Sequence, residues 1–225
     1  MLVNLDNFLN KLDLEYIKDF INTSPSANGN QTAGSNMKSN KKSSIYRSTQ
    51  EMHDLIFSSI NKDRLYTKVA MGDFKILSQR FSVYKENDYY DWHFDIPKFK
   101  GNDNSIAYTI WLNDPEEYDG GELLIKHSFG QTSLKEKAGT AVFYPASHMH
   151  KVNKIIKGCR KVCIGWINCD IKNSKIRENL YHIEDSLSIL NDFCKRKVEN
   201  EAEVEEIYNV ILKLLHVHHY LKKSS

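Results

Sequence analysis

His93-Phe94-Asp95 places an imidazole and a carboxylate two residues apart in a run that reads as a β-strand. Positions i and i+2 of a strand share a face and lie roughly 6.6 Å apart at their Cα atoms, so both side chains can converge on one metal ion. Two histidines and one carboxylate make the triad that binds ferrous iron and leaves positions open for oxygen and a co-substrate. Alone, the pair is a common coincidence, and its weight comes from residues further down the chain. There, Phe143-Tyr144-Pro145 leads into Ala146-Ser147-His148-Met149-His150, which sets two histidines just past a turn at the mouth of a sandwich. His148 and His150 share strand parity, so alternation does not choose between them as the third ligand.

Arg160 opens the next strand-like run. Arg160, Val162, Ile164 and Trp166 face one way, while Lys161, Cys163 and Gly165 face the other. An arginine on an apolar, inward face requires a carboxylate partner, because burying an unpaired charge is prohibitive. The far carboxylate of 2-oxoglutarate suits a bidentate guanidinium fork. Tyr84, at the end of the run before the His-Asp pair, could donate its hydroxyl to the same co-substrate, with a core tyrosine as the commoner alternative.

The elements that carry these residues form a β-rich centre flanked by helices. Short apolar runs at 76 to 84, 105 to 112, 122 to 126, 140 to 144, 150 to 156 and 160 to 167 read as strands. Asn113-Asp114-Pro115, Asp119-Gly120-Gly121, Phe129-Gly130, Ala138-Gly139 and Lys157-Gly158 read as the turns between them. Many short strands joined by tight turns predict an antiparallel sandwich or jelly roll. Residues 5 to 21 put Leu5, Phe8, Leu9, Leu12, Tyr16, Ile17 and Phe20 on one helical face. Ser48 and Glu51 form a capping box for a second helix. Composition alone reads 22 to 44 as a flexible linker. At the other end, Ile176, Leu180, Ile183, Leu187 and Leu190, then Val204, Ile207, Tyr208, Ile211, Leu214, Leu215 and Leu221, mark two helices that form a hairpin. The reading is therefore α+β: an N-terminal helical segment (1–75), a jelly-roll domain (76–170) and a C-terminal helical hairpin (171–225). The hairpin stripe packs within the chain or serves a homodimer.

The 31 Lys and Arg against 29 Asp and Glu are scattered, so no field to hold nucleic acid or an anionic membrane is expected. No stretch has the length of a membrane span, and the first residues lack a signal-peptide pattern, which makes cytoplasmic residence the expectation. Cys159, Cys163, Cys169 and Cys194 show no C-x-x-C spacing and read as buried thiols. His216, His218 and His219 read as a solvated helix end.

The motifs Tyr90-Asp91-Trp92-His93-Phe94-Asp95, Leu112-Asn113-Asp114-Pro115, Tyr118-Asp119-Gly120-Gly121-Glu122-Leu123, Phe129-Gly130-Gln131 and Gly158-Cys159-Arg160 occur in an order that resembles the PKHD-type hydroxylases. These are the prolyl-4-hydroxylase-like branch of the iron(II) and 2-oxoglutarate dioxygenases, whose core is a double-stranded β-helix, or jelly roll. The resemblance extends over roughly residues 25 to 215 and replaces the linker reading of 22 to 44 with an N-terminal family segment around Asn28-Gly29, Thr32-Ala33-Gly34 and Lys38-Ser39-Asn40. It implies His93, Asp95 and His150 as iron ligands, His150 being selected over His148 by its spacing from Arg160, and Arg160 as the 2-oxoglutarate anchor. It also implies O2 as co-substrate, L-ascorbate as iron reductant, and a peptidyl or small-molecule substrate. A cupin-like metal- or ligand-binding module without catalysis is the alternative. The chain departs from the family at Val83, where arginine is usual, at Asp91, where glycine is common, in the absence of an N-terminal tryptophan, and at Asn102-Asp103-Asn104-Ser105.

Overall fold

The computed structural model describes residues 2–32, 41–62, 69–95, 98–99, 102–103, 105–127, 130–197 and 201–223. The chain divides into two units, Met1–Arg64 with Lys75–Asn168, and Leu65–Phe74 with Cys169–Ser225.

Two antiparallel sheets build the first unit. Among the described residues the larger holds β1 (Val3–Leu5), β2 (Ala27–Asn28), β4 (Ser44–Arg47), β5 (Phe74–Lys85), β9 (Ile106–Trp111), β10 (Tyr118–Gly120), β13 (Ala141–Pro145) and β15 (Ile155–Cys169). Their order is β1-β13-β9-β15-β5-β4-β2, with β10 added on β15. The smaller sheet holds β3 (Lys41–Lys42), β6 (Tyr89–His93), β11 (Leu123–His127), β12 (Gly130–Leu134) and β14 (His150–Val152), in the order β12-β11-β14-β6-β3. A separate pair, β7 (Lys98–Phe99) and β8 (Asn102–Asp103), completes the set. Tyr84, Trp111, Val142, Tyr144 and Val162 from the larger sheet meet Leu123, Ile125, Leu134 and Val152 from the smaller in one buried cluster. This is the expected jelly-roll core, produced by strands whose alternate residues are apolar toward the facing sheet.

Helices cover the outer face of the larger sheet. Along β5, Gln79 and Phe81 alternate with the residues that share the face of Tyr84. Phe20 of α1 (Lys11–Thr23) packs on Phe81 with ring centroids 5.6 Å apart. Gln79 Nε2 donates to the Met52 carbonyl of α2 (Gln50–Lys62) at 3.1 Å and to Ser48 Oγ at 2.9 Å. Both helices begin later than the sequence periodicity suggests. Asn10 caps α1, its side chain accepting from Asp13 N at 3.0 Å, so Leu5 falls in β1, and Phe8 and Leu9 are buried ahead of the helix. Leu12 is 76% exposed, because the helix turns Ile17 and Ile21 inward instead. For α2 the cap is Thr49, whose hydroxyl accepts from Met52 N at 3.3 Å, while Ser48 serves Gln79. The 22 to 44 stretch contributes β2, a 3-10 turn at Gly29–Thr32, and β3; Ala33-Gly34 and Lys38-Ser39-Asn40 lie outside the described residues.

Lys157-Gly158 is not a turn. It sits inside the continuous β15, where Gly158 pairs with Tyr118 of β10. Gly158 has φ +80°, and a Cβ there would come within 2.3 Å of the Glu117 carbonyl oxygen. Glycine is therefore required by close backbone approach rather than by chain reversal. Cys159, Cys163 and Cys169 form no disulfide among the described residues, the latter two being buried, and the Cys194 side chain lies outside the described set.

The second unit contains α3 (Ser174–Lys197) and α4 (Glu201–Lys223). Leu180 is fully buried against Met71 and Ile171. Tyr208 and Leu215 from the expected stripe stay exposed. His218 is not simply solvated, since its Nε2 bonds Glu184 Oε1 at 2.9 Å across the hairpin. No helix among the described residues is long and apolar enough to cross a membrane.

Replacing Gly158 by alanine combines a left-handed backbone with a backbone clash and is expected to cost about 2 kcal/mol or more. Gly72→Ala adds a methyl only 3.6 Å from Ile171, an ordinary contact, and is the matched control. Urea denaturation of both variants checks this, with Gly158→Ala showing the larger loss.

Candidate metal centre

Three strands of the smaller sheet put Ile125, His150 and His93 in one row, because Ile125 pairs with His150 and His150 pairs with His93. The two imidazoles lie 4.2 Å apart at their centroids. Strand β6 ends at His93, so the alternation expected to align Asp95 does not extend to it. Asp95 lies in the irregular stretch just after the strand, and its Oδ1 lies 3.8 Å from His150 Nε2. One ligand atom from each of His93, Asp95 and His150 lies within 4.8 Å of the other two. All three side chains are nearly inaccessible.

The same local device orients both imidazoles. His93 Nδ1 donates to the carbonyl of Asp91 at 2.7 Å, and His150 Nδ1 donates to the carbonyl of His148 at 2.9 Å. A carbonyl can only accept, so each ring carries its proton on Nδ1 and presents the Nε2 lone pair. His148 thus meets His150 through its backbone. Asp91 likewise contributes its carbonyl, while its carboxylate accepts from Trp92 N at 2.8 Å on the outside. The departure from glycine at this position leaves the ligand geometry intact.

Burial, reinforced by His150, holds the His93 imidazole neutral by pushing its pKa down to about 2. Burial also raises Asp95, opposed by His150, the Trp166 indole, Arg80 and Lys41. Asp95 Oδ2 is buried without a hydrogen-bond partner, and Trp166 Nε1, although close to the carboxylate, completes no bond to it. Two imidazoles whose Nδ1 atoms are committed to carbonyls and a carboxylate with an orphaned oxygen fit a divalent cation of intermediate hardness such as iron(II). Tyr90 stacks on His93 at 3.5 Å, and Tyr144 meets His150 edge-on at 5.2 Å, fixing both rings further.

Arg160 lies deeper in the same interior. It is 1% exposed, and its guanidinium carbon lies 5.4 Å from the Tyr84 ring and 5.6 Å from the Trp111 ring. Its Nε has no hydrogen-bond partner, and among the described residues no carboxylate pairs with it. Asn113 fixes the strand on both sides of Arg160: Nδ2 donates to the Cys159 carbonyl at 2.9 Å, and Oδ1 accepts from Lys161 N at 2.7 Å. Gly121, with φ +71°, leaves the room that the Arg160 stem uses, since a Cβ there would approach Arg160 Cδ to 3.2 Å. Tyr84 is buried; burial raises its pKa, opposed by Arg160, so the phenol keeps its proton. Val83, paired with Ser44, faces away from Tyr84 and from this interior. Trp111 is fully buried in the core, whereas Trp92 lies between Lys126 and Lys151 on the other face of the smaller sheet. The sequence reading assigned no role to Trp166, Tyr90, Lys41 or Arg80. Strand parity with Arg160 marked Trp166 as inward, and parity with Tyr84 is the signal that would have found Arg80, but the approach of Lys41 depends on β3 pairing with β6.

Residues 79–168 match the model of the 2OG-Fe(II) oxygenase superfamily. A PKHD-type hydroxylase of Crocosphaera subtropica is 30% identical over 191 residues, covering 82% of this chain and 86% of its own length. One from Shewanella frigidimarina is 27% identical over 224 residues, covering 95% and 97%. A prolyl-4-hydroxylase structure from Pseudomonas putida shares the fold with a TM-score of 0.54 at 17% identity, covering 75% of this chain and 92% of its own. With a relative of this identity matched over most of both chains, the protein belongs to the PKHD-type hydroxylases, the Fe(II)- and 2-oxoglutarate-dependent enzymes of the 2OG-Fe(II) oxygenase superfamily.

Proposed function

We propose that His93, Asp95 and His150 hold the iron, that Arg160 and Tyr84 hold 2-oxoglutarate, and that the enzyme hydroxylates a carbon of a small-molecule or peptidyl substrate. The observation that carries this reading is the buried convergence of three ligand atoms within 4.8 Å, with both Nδ1 atoms already committed to carbonyls. Bound iron would supply the coupling of 2-oxoglutarate decarboxylation, to succinate and carbon dioxide, with transfer of one oxygen atom from O2 to substrate carbon.

The protein's own part is positioning and desolvation. Arg160, buried with an unfilled Nε, offers its fork to the distal carboxylate of 2-oxoglutarate, and the protonated Tyr84 donates alongside it. Trp111, Val162 and Tyr144 keep water from the chain of the co-substrate. The carbonyls of Asp91 and His148 keep each imidazole in the tautomer that binds metal. We further infer that L-ascorbate restores iron after unproductive turnovers, that the enzyme works in the cytoplasm, and that α3 and α4 can support a homodimer. Phe193, Leu212, Leu215 and Tyr220, all exposed, support the last point.

Mixing the protein anaerobically with iron(II) and 2-oxoglutarate is expected to give a visible charge-transfer band. The band disappears in His93→Ala and persists in His148→Ala; its persistence in His93→Ala would remove His93 from the site. Arg160→Gln is expected to retain iron while its affinity for 2-oxoglutarate falls by about a hundredfold, as for other truncated buried charge pairs. Unchanged affinity, measured by titrating the same band, would remove Arg160 from its role.

The depressed His93 pKa also predicts a pH dependence. Between about 2 and the ordinary histidine value near 6.5, the unfolded chain takes up a proton that the folded one refuses, so this contribution to stability is complete above the upper value and lost as pH falls. Metal-free wild type is therefore expected to lose more thermal stability than His93→Gln between pH 7 and pH 5.5. Parallel slopes for the two proteins would contradict a neutral, buried His93.

A further inference from the structure

Arg80 shares the inward face of β5 with Tyr84 but lies four residues earlier, roughly 13 Å away along the strand. Trp166 lies six residues beyond Arg160 on β15, and the Arg80 guanidinium sits over its ring at 4.6 Å. Arg80 and Trp166 therefore occupy the opposite end of the interior from Tyr84 and Arg160. Trp166 in turn neighbours Asp95. On the other flank, Lys41 lies opposite Tyr90 in the β3–β6 register, with Nζ 4.6 Å from the Tyr90 ring centroid. Tyr90 stacks directly on His93. Asp95 and His93 are thus each backed by an aromatic side chain with a cation beyond it.

The two cations share one environment. Lys41 is only 4% exposed, and burial together with the charge of Arg80 brings its ammonium down to about 7. Both feel Asp95, yet among the described residues no carboxylate comes within ion-pair distance of Arg80. In the proposed centre Asp95 is committed to iron, which leaves Arg80 with still less compensation. Arg80 is only partly exposed, and holding its charge beside a second cation, with no acid in contact among the described residues, is costly unless an anion offsets it. The co-substrate does not do so, because its distal carboxylate is held by Arg160 at the other end.

We propose that the substrate is itself a carboxylate, seated between Arg80 and Lys41 so that its neighbouring carbons lie over the edge of the centre formed by His93 and Asp95. This deepens the proposed function and rests on its assignment of iron and 2-oxoglutarate. With its guanidinium carbon 4.6 Å over the Trp166 ring, Arg80 keeps N–H donors for a bidentate carboxylate.

The test uses the full chain with matched probes: N-acetylglycine, its neutral amide N-acetylglycinamide, and inorganic phosphate. Binding is read twice, by intrinsic tryptophan fluorescence of the metal-free protein and by perturbation of the charge-transfer band of the protein loaded with iron(II) and 2-oxoglutarate. The acid is expected to bind about tenfold tighter than the amide, a preference that Arg80→Gln abolishes and Arg80→Lys partly restores. Equal binding of acid and amide, or a preference that survives Arg80→Gln, would overturn the proposal. Tighter binding of phosphate than of N-acetylglycine would overturn the assignment to a carboxylate. Failure of the band to form counts against the iron and 2-oxoglutarate assignment, while the fluorescence titration still decides the anion subsite.

Discussion

A buried polar atom without a partner is costly, and this protein concentrates several such atoms in one place. Asp95 Oδ2 and Arg160 Nε are buried without a hydrogen bond, and the Trp166 indole beside Asp95 and the Tyr118 hydroxyl beside Trp111 and Arg160 are close to partners without completing a well-formed bond. Each unmet group costs on the order of 1 to 3 kcal/mol, so the surrounding fold must be stable enough to hold them apart. The apolar cluster between the two sheets supplies that stability and also the low dielectric that strengthens any charge pairing formed there. A metal at His93, Asp95 and His150 and a dicarboxylate at Arg160 would satisfy the most expensive of these groups. Ligand binding and relief of core strain are then the same event.

The histidines illustrate how little local sequence the device needs. In both, the ring nitrogen nearest the backbone reaches the carbonyl two residues earlier, a contact available to any residue type. Asp91 can therefore hold its position through its carbonyl whatever its side chain, and His148 meets His150 through its carbonyl. Conversely, Asn113 holds both neighbours of Arg160 through its side chain, and no other residue type offers that donor and acceptor pair in the same span.

Motif order in the sequence singled out His93, Asp95 and His150, which the fold brings together, and strand parity turned Arg160 inward, whereas the parity expected of Asp95 ends at His93. The inward set Arg160, Val162, Ile164 and Trp166 was legible from that strand parity. Helix starts were not: Asn10 and Thr49 each cap a helix that periodicity alone would extend or shift, since apolar residues ahead of a cap also reach the core. Gly158 carried a turn signal but serves close strand approach, and the sequence does not distinguish these two uses of a positive φ. Lys41 could not be placed at all, because its position depends on the pairing of a two-residue strand distant in the chain.

The central claim is that two Nδ1-protonated imidazoles, from His93 and His150, bind iron through Nε2 together with Asp95. X-ray absorption spectroscopy of the iron(II)-loaded protein measures this directly, since imidazole rings give a distinctive outer-shell scattering. The account predicts two imidazoles in wild type and in His148→Ala, and one in His150→Ala. A single imidazole in wild type, or an unchanged pair in His150→Ala, would contradict it.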